Sequence, residues 1–132
     1  MEDERSMTTR RGLRRTLACV LFLGLASCGD KASPSPPVET NLITITNAGV
    51  SPKNIIISVG QRVRFTNNAD GPRNMASDPH PSHDDCPEFD QVGFLTPGQS
   101  RETGNLVTAR TCGFHDHDMP SVTNLQGTVT IR

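Results

Sequence analysis

Two short segments of the sequence concentrate side chains that bind metal ions. The segment TCGFHDHDMP (111–120) contains one thiol, two imidazoles, two carboxylates and a thioether. The segment DPHPSHDDCP (78–87) adds two imidazoles and a second thiol, and its prolines stiffen the spacing between His80 and His83. All four histidines of the chain lie in these two segments. Because imidazoles bind copper and zinc, this concentration favours a metal site that uses at least two of the histidines.

The N-terminal residues predict export from the cytoplasm. Several arginines precede the apolar run 17–26, which is too short to span a bilayer and is typical of a signal peptide. The sequence LASC that ends at Cys28 resembles the lipobox of bacterial lipoproteins, in which the cysteine is lipidated. We therefore predict a signal peptide (1–27), a lipid-anchored Pro/Ser linker (28–40) and one domain (41–132), held at a membrane in the periplasm or at the cell surface.

Charge and motif content exclude several classes of function. The chain has 132 residues, enough for one domain, and its 13 basic and 14 acidic residues give a net charge of −1. Much of the basic charge lies in the N-terminal segment, so the remainder is mildly acidic and we expect no nucleic-acid binding. No catalytic Ser-His-Asp pattern or phosphate-binding loop is present. We therefore expect no enzyme activity and no small-molecule substrate, and membrane contact only through the lipid.

Cys86 and Cys112 have two mutually exclusive roles in an exported domain. They form a disulfide, or one of them is held by a metal. A bridge between them would stabilise the domain by roughly 3 kcal/mol. It would also leave a site made of histidines alone, which suits Cu(II) or Zn(II). Both alternatives remain open at the level of the sequence.

The sequence of the domain predicts β-strands separated by turns. Residues 42–46 (LITIT) and 127–131 (GTVTI) alternate apolar and polar side chains, and 55–59 (IIISV) is rich in β-branched residues. Turn sequences with glycine follow, such as TPGQ at 96–99, and no segment has a helical period. These features predict an all-β sandwich or barrel.

Three segments in fixed order resemble the plastocyanin/azurin group of cupredoxins. They are VSPKNIIISVGQRVRFTNN (50–68), LTPGQS (95–100), and CGFH (112–115) with the closing strand GTVTI. The family has a VGxxVxFxN strand, a Pro-Gly turn and a Cys-His-Met loop before its last strand. The resemblance covers about residues 42–132. It implies a cupredoxin-like Greek-key β-sandwich, a bound copper ion and electron transfer with a redox partner protein.

The resemblance also implies a set of metal ligands, from which this sequence departs at two positions. Cys112 and His115 match the family's thiolate and loop histidine. Met119 lies upstream of the place where the family has its axial methionine, so it is either a thioether ligand or an apolar anchor of the loop. Arg73 stands where the family has its first histidine, and a guanidinium cannot bind copper. The predicted ligand set is therefore Cys112, His115, His80, His83, His117 and Met119.

The departure at Arg73 leaves two questions for the structure. One of the other histidines, in the 78–87 segment or at His117, would have to replace the missing imidazole. Arg73 itself would then form an ion pair, for which Asp70 and Asp78 are nearby in sequence. Neighbouring aspartates would also orient the imidazoles by accepting hydrogen bonds.

The sequence thus predicts an exported copper protein that transfers electrons without substrate chemistry, with zinc as the second choice of metal. The alternative is a disulfide-stapled module that stores or delivers copper through its histidine loops without fast redox chemistry. A third alternative is a domain that has lost its metal and acts in assembly at the membrane. The redox state of Cys112 separates the first two.

Overall fold

The computed structural model describes residues 35–132. The predicted signal peptide, the lipidation site Cys28 and most of the linker lie outside the described residues. Within them the chain forms ten strands and two short 3₁₀ turns, Pro87–Gln91 and Thr123–Leu125, and no α-helix. No helix in this part of the chain is long and apolar enough to cross a membrane. The prediction of an all-β domain is confirmed.

The strands form two sheets. In spatial order the larger sheet contains β1 (Val38–Glu39), β4 (Asn54–Ile57), β10 (Gly127–Ile131), β9 (Thr111–Asp116), β6 (Arg73–Ser77) and β7 (Gly93–Leu95). The smaller sheet contains β3 (Gly49–Ser51), β2 (Leu42–Thr46), β5 (Arg64–Asn67) and β8 (Ser100–Glu102). The pairs β1–β4, β4–β10 and β2–β5 are parallel, and the remaining pairs are antiparallel. Strand β1 lies in the last residues of the predicted linker.

The core between the sheets is built from the inward-facing residues of these strands. In β2 the alternation predicted from the sequence buries Ile43 and Ile45 and leaves their neighbours partly or fully exposed. Phe65 of β5 and Phe114 of β9 meet edge to face at the centre, with ring centroids 5.2 Å apart. The TPGQ turn joins β7 to β8, and Gly98 adopts the left-handed conformation that glycine tolerates best, with φ +80°.

Strand β9 has two functionally different faces. Successive side chains of a strand point to opposite sides of its sheet. Cys112, Phe114 and Asp116 therefore face the core, where all three are buried. Gly113 and His115 face the outer side of the larger sheet, where the segment 78–86 covers them. This division decides which predicted ligands meet.

Candidate metal centre

The four histidines converge on one point at the outer face of the larger sheet. Each offers one imidazole nitrogen, and these nitrogens all lie within 4.8 Å of one another. The five ring pairs in contact have centroid separations of 4.9–5.5 Å. The cluster consists of His80, His83, His115 and His117. The structure thus brings together four of the six predicted ligands.

Strand β9 positions two of these imidazoles. His115 and His117 are two residues apart, so they project from the same side of the strand. His115 is opposite Ala76 of the neighbouring strand β6, whose small side chain leaves room for the imidazole. The backbone N–H of His117 donates to the carbonyl oxygen of Asn74 at 2.6 Å, which continues the pairing just beyond the end of β9.

The segment 78–86 positions the other two imidazoles by folding back over the sheet. The backbone N–H of Asp78 donates to the Gly113 carbonyl at 3.0 Å, and the N–H of Asp85 donates to the Asp78 carbonyl at 3.0 Å. His83 is held on both sides, because its N–H donates to the Pro79 carbonyl at 2.8 Å. Its own carbonyl accepts from the Ser77 hydroxyl at 2.7 Å. Among the described residues, His83 is the one non-glycine residue that has a positive φ, at +53°.

A disulfide fixes this segment to β9. Cys86 and Cys112 are bonded, with Cα atoms 5.9 Å apart, and both are fully buried in the core. His83 lies three residues before Cys86, and His115 lies three residues after Cys112. Cys112 was expected either to form a disulfide or to bind a metal, and in the structure it forms the disulfide. The thiolate ligand that the resemblance to cupredoxins implied is therefore absent. The position of Cys112 on the core-facing side of β9 also points it away from His115.

His115 has the geometry of a metal ligand with a fixed tautomer. Its Nδ1 lies 2.6 Å from Oδ1 of Asp78, and a carboxylate only accepts, so Nδ1 carries the hydrogen. The lone pair of the neutral ring is then on Nε2. The imidazole is only 2% exposed, and Nε2 has no hydrogen-bond partner. A buried nitrogen that lacks a partner and faces three other imidazoles is where a metal ion would bind.

The surroundings of His83 favour its neutral form. His83 Nε2 lies 3.2 Å from His117 Nδ1, so one of these nitrogens donates to the other. Burial, followed by the proximity of His115 and His117, lowers the pKa of His83 below its usual 6.5. Neutral imidazole is the form that binds metals. An open cleft of about 230 Å³, lined in part by His83, His117 and Asp90, gives the cluster a route to solvent.

Arg73 and Met119 lie on the core-facing side and form a different group. Nη1 of Arg73 is 3.7 Å from Oδ2 of Asp116 and 3.9 Å from Sδ of Met119. Met119 also packs against the hydrophobic core. The expected pairing of Arg73 with Asp70 or Asp78 was therefore wrong, and Met119 serves as an apolar anchor. Burial raises the pKa of Asp116, although backbone hydrogen bonds from Asp118 and Asn74 and the Arg73 charge act against it.

Two contributors to this region were not singled out from the sequence. The aspartates were expected as a group to orient the imidazoles, but Asp78 was named individually only as an ion-pair partner for Arg73, whereas its carboxylate holds His115. Asp116 was treated as part of a metal-binding loop, whereas it is 1% exposed and faces inward. The HDH pattern at 115–117 could have indicated that Asp116 faces away from the histidines. If β9 is extended to Asp116, its two histidines face one side and the aspartate faces the other.

Comparison with known proteins supports the fold independently. No protein-family model matches the chain, and a search of curated protein sequences found no match. Among solved structures it is similar to plastocyanin from the fern Dryopteris crassirhizoma, with 22% identity and a TM-score of 0.54 over 69% of this chain and 99% of the plastocyanin. A purple cupredoxin from Nitrosopumilus maritimus gives 22% identity and a TM-score of 0.54, over 69% of this chain and 98% of that protein. A mutant amicyanin in the Cu(I) state gives 16% identity and a TM-score of 0.53, over 69% of this chain and 80% of the amicyanin.

These similarities support the two-sheet, all-β architecture. Identities below 25% establish a shared architecture. The described part of the chain is a cupredoxin-fold domain.

Proposed function

We propose that the domain binds one copper ion through its four-histidine cluster and stores or delivers it outside the cytoplasm. The observation that carries the proposal is the buried Nε2 of His115, which has no partner and faces three other imidazoles. The fold supports it, because the similar structures include an amicyanin in a Cu(I) state. The predicted lipid anchor at Cys28 would hold the domain at a membrane.

The spacing of the nitrogens fits a single ion. Ligand nitrogens about 2.0–2.1 Å from one ion are at most about 4.2 Å apart. The widest pair in the cluster, within 4.8 Å, would need to close by roughly 0.6 Å. The exposed His80 and partly exposed His83 lie on a segment whose side chains can make that adjustment. The donor set therefore fits a metal without rearrangement of the sheet.

The type of donor favours Cu(II). Imidazole suits copper and zinc, whereas thiolate and thioether select Cu(I). The cluster contains neither, because Cys112 is in the disulfide and Met119 lies beside Arg73. Copper binds nitrogen ligands more tightly than zinc in the usual affinity order, so zinc is the second choice. A bound copper ion would supply a redox-active centre with nitrogen ligands.

Storage or delivery is favoured over blue-copper electron transfer for the same reason. The electron-transfer hypothesis depended on Cys112 as a thiolate, and a disulfide sulfur cannot take that role. The cleft beside His83 and His117 supports exchange of the ion, because it leaves part of the cluster open to solvent. The cluster lacks a nucleophile or substrate-binding groups, so we propose no substrate chemistry.

The test is to titrate the chain, produced without residues 1–28 so that Cys86 and Cys112 are its only cysteines, with Cu(II). We expect one Cu(II) per chain, an EPR spectrum with nitrogen hyperfine structure, and only weak visible absorption. Thiol counting on the unfolded chain should find no free thiol until reductant is added. Absence of Cu(II) uptake would refute the proposal. An intense blue band with two free thiols would instead support electron transfer through Cys112.

A further inference from the structure

The strongest unassigned contact at the cluster is the one between Asp78 and His115. We propose that Asp78 is a positioning residue, which holds His115 in the tautomer that presents a bare Nε2 to the metal. This inference rests on the proposed metal-binding function. Asp78 touches no other member of the cluster in a hydrogen bond, so it would act through His115 alone.

The hydrogen bond is short and one-directional. Oδ1 of Asp78 accepts from Nδ1 of His115 at 2.6 Å, slightly shorter than a typical charge-assisted N–H···O bond. Were the hydrogen on Nε2 instead, it would point at the other imidazoles and block the lone pair there. It would also be buried without an acceptor, because Nε2 has no partner. The carboxylate therefore selects the tautomer that can bind a metal.

The position of Asp78 is itself fixed by the backbone. Its N–H donates to the Gly113 carbonyl, and its carbonyl accepts from the N–H of Asp85, both at 3.0 Å. Gly113 lies two residues before His115 on the same face of β9, directly beneath the Asp78 carboxylate. A Cβ at Gly113 would overlap Oδ2 of Asp78. The missing side chain at Gly113 thus leaves the space that the carboxylate occupies.

The first variant removes the charge and keeps the shape. In Asp78→Asn the amide either accepts more weakly from Nδ1 or donates to it, and donation would move the ring hydrogen to Nε2. We expect the dissociation constant for Cu(II) to rise about 10–100-fold, the usual effect of losing such a contact. Asp85→Asn is the matched control, because it changes the same charge in the same segment at an exposed side chain. It should bind Cu(II) like the wild type.

The second variant displaces Asp78 without changing its chemistry. In Gly113→Ala the new methyl group would push the carboxylate away from Nδ1, so Cu(II) binding should weaken in the same direction as in Asp78→Asn. Gly71→Ala is the matched control, because a Cβ there meets no atom within 4 Å. Near-UV circular dichroism and thiol counting establish that each variant is folded with its disulfide intact.

A metal-free measurement separates this inference from the proposed function. Long-range ¹H–¹⁵N spectra of the apo protein report which ring nitrogen of His115 carries the hydrogen. We expect the Nδ1–H tautomer in the wild type, and loss or change of that signature in Asp78→Asn. An Nε2–H tautomer in the wild type would overturn the inference. So would equal Cu(II) affinities for Asp78→Asn and Asp85→Asn, whereas a wild type without Cu(II) uptake would overturn only the metal-binding function.

Discussion

The disulfide should account for a large share of the stability of this domain. Cys86 and Cys112 are separated by 26 residues, and closing a loop of that length in the unfolded chain corresponds to about 3.5 kcal/mol. Domains of this size unfold with only about 5–15 kcal/mol. In Cys86→Ala/Cys112→Ala we therefore expect a loss of about 3.5 kcal/mol in the free energy of unfolding, and somewhat more because both sites lie in the core.

The assay is urea unfolding of the apo protein followed by far-UV circular dichroism. Intrinsic fluorescence is unsuitable, since the chain has no Trp and no Tyr. The wild type with its disulfide reduced is the control for the two alanine substitutions, because it removes the bond and keeps the sulfurs. An equal free energy of unfolding in the oxidised wild type and the double variant would refute the reasoning.

The same change should weaken the metal site. Without the bridge, the segment that carries His80 and His83 is tied to β9 only by hydrogen bonds and packing. Metal binding to the variant would at most have to supply the full loop-closure free energy of about 3.5 kcal/mol that the disulfide supplies in the wild type. Since about 1.36 kcal/mol corresponds to a tenfold change in an equilibrium constant, Cu(II) affinity would fall by a factor of at most about 400. We expect a measurable part of that loss in a Cu(II) competition assay. Unchanged affinity would show that the hydrogen bonds of Asp78 and His83 hold the segment by themselves.

Three further predictions concern the ion pair, the pH dependence and the ligands. Arg73→Leu should destabilise the apo protein by about 3 kcal/mol in urea unfolding, because it leaves Asp116 buried and unpaired, and adding Asp116→Asn should restore much of the loss. The lowered pKa of His83 means that the folded chain binds fewer protons than the unfolded chain below pH 6.5. The free energy of unfolding should therefore fall on acidification from about pH 7.5 to about pH 5.5, and His83→Asn should flatten this dependence. In Cu(II) titrations, His115→Asn should reduce affinity more than His80→Asn, since His115 is buried and prepositioned whereas His80 is exposed.

Much of the fold follows from local patterns in the sequence. The alternation in 42–46 and 127–131 predicts which side chains face the core, and both segments are strands with that orientation. Turn chemistry predicts the break at 96–99, where Gly98 has positive φ. The start of the domain is harder to predict, because Val38 and Glu39 have no strong pattern of their own. They become a strand only because β4 offers a free edge.

The candidate site could be predicted in composition and only partly in geometry. Four histidines confined to two short segments already indicate a metal cluster, because imidazole binds copper and zinc. The role of Cys112 depends on whether Cys86 comes within bonding distance, and that distance is set by the tertiary path of the 78–86 segment. The partner of Arg73 depends on tertiary packing in the same way. Asp116 is far from Arg73 in sequence, and the two meet because β6 and β9 are adjacent.

The alternation of β9 explains why a resemblance in sequence did not carry over into a shared ligand set. Cys112 and His115 are three residues apart, and in a continuous strand that spacing places them on opposite faces. They could meet at one ion only if the strand ended between them, and β9 runs through to Asp116. The core-facing side therefore holds the disulfide and the Arg73–Asp116 pair. The outer side holds His115 and His117 and recruits His80 and His83 from the segment above it. An imidazole at position 73 would face Asp116 and Met119, so the four-histidine cluster does not stand in for the histidine replaced by Arg73. It is a second location on the same sheet, and the strand that separates the two locations also keeps the charge of Arg73 away from the metal ligands.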